Sequence, residues 1–163
     1  MRERIICESI NSLRQEGLRF SVDILAEKLN ISKKTVYKYF PNKEVLAIAL
    51  FERYYDDIVK EANQLIKENT KLSHTRLLEL YFDAKSMTRK DIFNKYKLND
   101  SLYSFTKVQN ENFWRIILSS MNQDITRKEE LSFQVIVDGS FEKLCNEKID
   151  PSGVIERLVN ILW

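Results

Sequence analysis

Glycine and proline are scarce in this chain: its 163 residues include three glycines and two prolines. Tight hairpin turns depend on these two residue types, so a fold rich in β-hairpins has few places to turn. The sequence has no internal repeat, and no linker rich in Gly, Ser or Pro divides it. It therefore predicts an all-α fold.

Apolar spacing, helix stops and N-cap residues, among them Ser21 and Ser32, predict nine helices. The longest runs without a breaker from Lys43 to about Asn69 and carries apolar rows on two sides. We interpret it as a continuous connector between a small N-terminal domain, residues 1–46, and a larger C-terminal domain, residues 47–163. The last helix is expected to have Asp150 as its N-cap and Pro151 as its first residue. The predicted helices cover residues 2–16, 22–29, 33–39, 43–69, 74–87, 90–97, 100–121, 127–147 and 151–162.

Positive charge is concentrated at the N-terminus, although the net charge of the whole chain is only +2. Residues 1–48 contain nine Lys or Arg against six Asp or Glu, whereas residues 49–163 contain 17 against 18. The densest basic run is SKKTVYKYFPNKE, residues 32–44, which holds four lysines and two tyrosines. Any positive potential of the protein must therefore come from its first third.

Residues 22–40, VDILAEKLNISKKTVYKYF, have the pattern of a helix-turn-helix. Asn30 occupies the turn position that needs a left-handed backbone, which Gly or Asn adopts most readily. The inward-facing residues are predicted to be Leu25, Leu29, Ile31, Val36 and Tyr39, with Ala26 where the helices cross. Lys33, Lys34, Tyr37 and Lys38 must then point outward, as long donors do on a helix that enters the major groove. The alternative is two small core helices whose lysines are simply solvated.

The run FSVDILAEKLNISKKTVYKYFPNKEVL, residues 20–46, resembles the DNA-binding domain of the TetR family of bacterial transcriptional regulators. The resemblance rests on Thr35, Tyr37, Phe40 and Lys43. It extends over residues 1 to about 55. Asn30 stands where the family usually has Gly, and Ser21 stands where it often has a pair of threonines.

The resemblance implies a role in DNA binding for seven residues. Tyr37 and Lys43 would contact phosphates, and Thr35 would contact a phosphate or a thymine methyl group. Ser21 falls at a further phosphate position, which the missing threonine pair puts in doubt. The alternatives are that Tyr37 is a half-buried packing residue and that Lys43 is a solvated lysine. The full set is Ser21, Lys33, Lys34, Thr35, Tyr37, Lys38 and Lys43.

Similarity to the family also implies a C-terminal domain for dimerisation and ligand binding. Aromatic residues are dense between Tyr81 and Trp114 and are expected either to line a cavity for an apolar or aromatic effector or to form ordinary core. A ligand there is expected to tilt the connector and change the spacing of the two recognition helices. The candidate pocket residues are Tyr81, Phe82, Phe93, Tyr96, Tyr103, Phe105, Phe113 and Trp114.

The last two helices offer more apolar surface than one chain needs, and Gly139 with Ser140 lowers the side-chain bulk in mid-helix, which permits close approach of a partner helix. They predict a four-helix bundle across the two-fold axis of a homodimer. The predicted interface residues are Phe133, Ile136, Val137, Phe141, Leu144, Val154, Leu158 and Ile161.

Other functional classes find little support. The single histidine, the two distant cysteines Cys7 and Cys145, and the lack of a Gly-rich phosphate loop predict no catalytic residues, no metal site and no cofactor. No apolar run reaches the length of a membrane span and the N-terminus lacks a signal-peptide pattern, so we expect a cytoplasmic protein. The predicted partners are operator DNA, a second copy of the chain and a small-molecule effector. A helical protein-protein adaptor is the alternative, but it leaves the lysine cluster unexplained.

Overall fold

The structure is a computed structural model, and it describes residues 1–16, 21–89, 100–121 and 124–163. These residues form eight α-helices and no strand, which confirms the predicted all-α class. The prediction of a helix over residues 90–97 lies outside the described residues. The helices are α1 Arg2–Glu16, α2 Val22–Lys28, α3 Lys33–Tyr39, α4 Lys43–Glu68, α5 Lys71–Met87, α6 Asp100–Ser119, α7 Arg127–Glu147 and α8 Ser152–Leu162.

The chain divides into two compact units. The first contains Met1–Ile58 and Ala84–Gln109, and the second contains Val59–Asp83 and Asn110–Trp163. Helix α4 is one uninterrupted helix of 26 residues that belongs to the first unit up to Ile58 and to the second from Val59. This division follows compactness alone, so the functional boundary predicted at residue 46 stays a prediction.

The turn between α2 and α3 is built by local hydrogen bonds. Asn30 has φ 52°, the left-handed conformation that the sequence predicts. Its N–H donates to the carbonyl oxygen of Glu27 at 2.9 Å, and the N–H of Ile31 donates to that of Ala26 at 3.0 Å. These two bonds are the Schellman pattern, which satisfies the last carbonyls of a helix and turns the chain sharply. The turn therefore fixes the angle at which α3 leaves α2.

One inward assignment in α3 is wrong. Val36 is buried as predicted, but Tyr39 is 39 % exposed and Phe40 is 1 % exposed. Phe40 follows Val36 by four residues and lies where α3 ends in extended backbone, with φ −133° and ψ 96°. Residues four apart share a face of a helix, so Phe40 completes the buried face and Tyr39 is turned toward solvent.

The two-sided burial of α4 is confirmed. Leu46, Leu50, Tyr54 and Ile58 form one buried row, and Phe51 and Tyr55 are buried on the other side. Within the first unit, the Tyr55 hydroxyl donates to the carbonyl oxygen of Thr106 at 3.2 Å, and the Tyr55 ring meets Phe105 edge to face. Both sides of the first half of α4 therefore lie in the core of the first unit.

The start of α8 differs from the prediction. Pro151 is the N-cap and makes no side-chain capping bond, so the helix begins at Ser152. The Asp150 carboxylate accepts hydrogen bonds from the Ser152 backbone N–H at 3.4 Å and from the Ser152 hydroxyl at 2.5 Å. The chain turns before Pro151 because Lys148 ends α7 in a left-handed conformation with φ 53°. The helix thus begins one residue later than predicted, while Asp150 makes the bond to its first backbone N–H that the sequence pattern suggests.

Candidate nucleic-acid interface

The outer face of α3 gathers most of the predicted DNA-binding residues. Lys34, Tyr37 and Lys38 are exposed, while Thr35 is partly exposed and Val36 holds the opposite face in the core. These four residues, Lys34, Thr35, Tyr37 and Lys38, line an open pocket of about 450 Å³ together with Ser32. Ser32 is not among the predicted DNA-binding residues, although its predicted position as N-cap of α3 places it beside them.

The start of α3 is held by its N-cap. The Ser32 hydroxyl oxygen accepts from the Thr35 N–H at 3.0 Å and lies 2.8 Å from the Thr35 hydroxyl oxygen. Each such cap contributes about 1 kcal/mol to helix stability. The first turn of α3, which carries Lys34, is therefore fixed before any partner binds.

Lys33 differs from its neighbours on α3. Its Nζ lies 2.8 Å from one carboxylate oxygen of Asp23 and 3.0 Å from the other. The hydrogen bond and the charge of Asp23 raise the pKa of Lys33. Lys34 and Lys38, by contrast, make no ion pair with any residue in the described part of the chain.

Ser21 and Lys43 lie at the starts of two other helices. The Ser21 hydroxyl oxygen caps α2 by accepting from the Asp23 N–H at 3.2 Å. Lys43 is the first residue of α4 and is partly buried, and this burial lowers its pKa. Asn42 caps the same helix through a 2.9 Å bond from the Val45 N–H to its side-chain oxygen. Both predicted phosphate contacts are therefore close to well-defined helix starts.

The predicted pocket residues do not form one group. Tyr81, Phe82, Phe113 and Trp114 are buried in the second unit, whereas Tyr103 and Phe105 are partly exposed in the first. Phe93 and Tyr96 lie outside the described residues. In the second unit the Tyr81 ring lies 5.4 Å from the Trp114 ring and 6.4 Å from the Phe113 ring.

This aromatic cluster contains an unsatisfied donor. The Tyr81 hydroxyl donates to Asp138 at 3.0 Å, but the Nε1–H of Trp114 has no hydrogen-bond acceptor among the described residues. Trp114 is 2 % exposed, so bulk water does not supply an acceptor for this N–H group. Buried tryptophan N–H groups usually find an acceptor, and one without a partner requires an explanation.

The predicted dimer residues fall into two groups. Val137, Phe141, Leu144 and Leu158 are buried within the second unit of the single chain, and Phe133 and Val154 are partly buried. Ile136 and Ile161 are exposed at 44 % and 53 %. Leu131 and Val135, which the sequence analysis did not include, are exposed at 49 % and 72 %. The predicted interface stays a prediction, and the apolar surface left for a partner is narrower than the sequence suggests.

The described part of the chain lacks two further features. No group of three or more His, Cys, Asp or Glu side chains there is arranged to hold a metal ion. Among the same residues, no helix combines the length and the apolar character needed to cross a membrane.

The geometry of α2 and α3, with exposed lysines on the outer face of α3, is that of a helix-turn-helix. Residues 5–50 match the family model described as bacterial regulatory proteins, tetR family. An uncharacterized HTH-type transcriptional regulator, YvaF of Bacillus subtilis (strain 168), is 33 % identical over 73 residues, which cover 45 % of this chain and 38 % of that protein. Residues 5–50 are therefore similar to the N-terminal part of the tetR family of bacterial regulatory proteins.

Solved structures resemble the whole chain in fold. A transcriptional regulator (TerR/AcrR family) from Aquifex aeolicus VF5 has a TM-score of 0.66 and 19 % identity, over 99 % of this chain and 96 % of that one. A TetR transcription regulator from Haloarcula marismortui ATCC 43049 has a TM-score of 0.67 and 14 % identity, over 99 % and 93 %. At these identities the likeness is one of fold.

Proposed function

We propose that the protein is a sequence-specific DNA-binding transcriptional regulator that acts as a homodimer. The observation that carries this proposal is the exposed face of α3, where Lys34, Tyr37 and Lys38 surround the open pocket on a rigidly capped helix. Lysine and tyrosine donors reach both phosphate oxygens and base edges, which a major-groove helix requires. Such a regulator works in the bacterial cytoplasm, where the chromosome lies.

DNA binding is tested by selecting an operator from a library of random duplexes and titrating binding against salt. Lys43→Ala should weaken binding to operator and random DNA alike and lower the salt slope by about one unit, as a phosphate contact does. Lys34→Ala should cost about 1 to 3 kcal/mol on the operator alone if it reads a base edge. Lys60→Ala is the matched control, because Lys60 is an exposed lysine of α4 in the second unit.

The alternative function, a helical protein-protein adaptor, predicts no salt-dependent binding to DNA. An adaptor that binds proteins through its aromatic surface has no need of phosphate contacts. If the protein does not bind DNA, or if its affinity for DNA does not fall as salt rises, the adaptor function is favoured over the regulator function.

The proposed homodimer uses the exposed apolar stripe of α7. Leu131, Val135 and Gly139 are four residues apart, so they lie on one face. A Cβ built on Gly139 meets nothing within 4 Å, and the same holds for Gly153. Gly139→Leu should therefore leave the single chain folded but weaken a dimer that packs closely there. Gly153→Leu is the control, and sedimentation is the measurement. A chain that sediments as a monomer and still binds DNA as one would refute the proposal.

We further propose that the protein is a repressor released by a small-molecule effector bound in the second unit. The unsatisfied Trp114 Nε1–H supports a ligand that offers an acceptor oxygen or nitrogen in an otherwise apolar or aromatic frame. Because binding is reciprocal, operator DNA must weaken effector binding by the same factor by which the effector weakens DNA binding. The test is a screen of apolar compounds for release of the protein from its operator. A hit should lose affinity for Trp114→Phe, which keeps an aromatic ring and removes the donor.

A further inference from the structure

The ion pair between Asp23 and Lys33 joins the two helices of the helix-turn-helix. Both carboxylate oxygens of Asp23 lie within 3.0 Å of the Lys33 ammonium. The backbone N–H of Asp23 donates a hydrogen bond to the Ser21 hydroxyl oxygen, which fixes the backbone of Asp23 at the start of α2. The backbone of Lys33 is fixed equally well, because it directly follows the N-cap of α3.

The pair removes one lysine from the positive face of α3. Lys33 lies on the same short helix as Lys34 and Lys38. From the sequence composition alone, all three lysines would be expected to be available for phosphate contacts. A lysine that is paired with a carboxylate contributes no net charge to the face. A DNA contact by Lys33 would also leave the Asp23 carboxylate, 68 % exposed, beside the phosphate backbone.

We propose that Asp23 is a positioning residue that holds Lys33 away from the DNA backbone, so that Lys34 and Lys38 are the lysines of α3 that contact DNA. This inference rests on the proposed DNA-binding function. It replaces the DNA contact that the family resemblance implies for Lys33 with a structural role across the turn. The protein then releases fewer counterions on binding than its lysine count suggests.

The salt slope of binding distinguishes the two roles of Lys33. Each phosphate contact contributes about 0.9 to the slope of log affinity against log salt. If Lys33 is withheld, Asp23→Asn frees it, and the slope steepens by about 0.9. If Lys33 already leaves Asp23 to contact a phosphate, the same substitution raises affinity but leaves the slope unchanged, because the number of contacts is the same.

The experiment uses the full chain and a mixed-sequence duplex of about 24 base pairs, with fluorescence anisotropy as the readout. Between about 50 and about 200 mM salt, Asp23→Asn should lose about 3.5-fold more affinity than the wild type. The double variant Asp23→Asn with Lys33→Ala should return to the wild-type slope. Glu27→Gln is the matched control, since it removes one negative charge from the exposed side of the same helix and should keep the wild-type slope.

Two results would overturn the inference: a wild-type slope for Asp23→Asn, or a double variant that stays as steep as Asp23→Asn. Asp23→Ala repeats the test with a different side chain, and circular dichroism of each variant checks that it is folded. Failure of the proposed function has a separate signature. A wild-type protein with no salt-dependent affinity for any duplex, unaffected by Lys38→Ala, would overturn both proposals together.

Discussion

Tyr39 and Phe40 are adjacent aromatic residues with opposite surroundings. Phe40 is 1 % exposed and Tyr39 is 39 % exposed, although the sequence pattern predicts Tyr39 as the inward residue. We therefore expect truncation of Phe40 to destabilise the protein strongly and truncation of Tyr39 to have little effect. Truncating each to alanine tests which of the two closes the core beneath α3.

The expected magnitude follows from burial and from one contact. Truncating a fully buried Phe to Ala costs about 3 to 5 kcal/mol, because apolar contacts are lost and a cavity remains. The Arg2 guanidinium lies 5.3 Å from the centre of the Phe40 ring, and such a contact adds about 0.5 to 1 kcal/mol. Tyr39→Ala should cost about 1 kcal/mol or less, as substitutions at exposed positions usually do. Since a domain is stable by only about 5 to 15 kcal/mol, the difference is large.

The assay is urea unfolding of the full chain followed by far-ultraviolet circular dichroism. Phe40→Leu keeps most of the volume and should cost less than about 1.5 kcal/mol, which separates loss of packing from loss of the aromatic ring. DNA affinity should fall for Phe40→Ala because α3 loses its support. Equal losses of stability for Phe40→Ala and Tyr39→Ala would refute the assignment of Phe40 as the buried anchor.

Two further predictions concern the turn and the single histidine. Asn30→Gly should keep or slightly raise the melting temperature, because glycine adopts φ 52° without strain, whereas Asn30→Val should cost about 1 to 2 kcal/mol; calorimetry that finds the two equal would contradict this. Burial lowers the pKa of His74, whose ring stacks 4.5 Å from that of Trp163. The unfolded chain then binds more protons than the folded one, so stability should fall as pH drops below about 6.5. Urea unfolding from about pH 7.5 to about pH 5.5 should show this fall, and His74→Gln should flatten it.

Features set by short-range chemistry were predicted accurately from the sequence. Ser21 and Ser32 each cap the helix that they were expected to cap, and Asn30 takes the predicted left-handed conformation. The bounds of α1 and α7 match the predicted ranges. In each case a side chain bonds to backbone a few residues away, or a residue tolerates a backbone angle that others resist, so the preference does not depend on the rest of the fold.

Features set by packing were predicted less well. Tyr39 and Phe40 both fit an apolar helical stripe, and only the end of α3 at Tyr39 decides which of them turns inward. Asp150 and Pro151 fit a capping pattern, but the left-handed Lys148 moves the start of α8 by one residue. The ion pair of Lys33 was not foreseen either, because its partner Asp23 lies ten residues away across a turn.

The C-terminal helices show why an apolar pattern cannot separate core from interface. A stripe of apolar residues on α7 or α8 indicates a face that is buried away from water. The pattern is the same whether that face packs within the chain or against a second copy of it. Val137 and Phe141 turn out to be core, whereas Val135, two residues before Val137, is 72 % exposed. Exposing a large apolar side chain gains nothing for a single chain, and neighbouring exposed residues of this kind mark surfaces that are covered by a partner. The exposed set, Leu131, Val135, Ile136 and Ile161, is therefore a better starting point for testing the proposed dimer than the stripe from which the prediction was made.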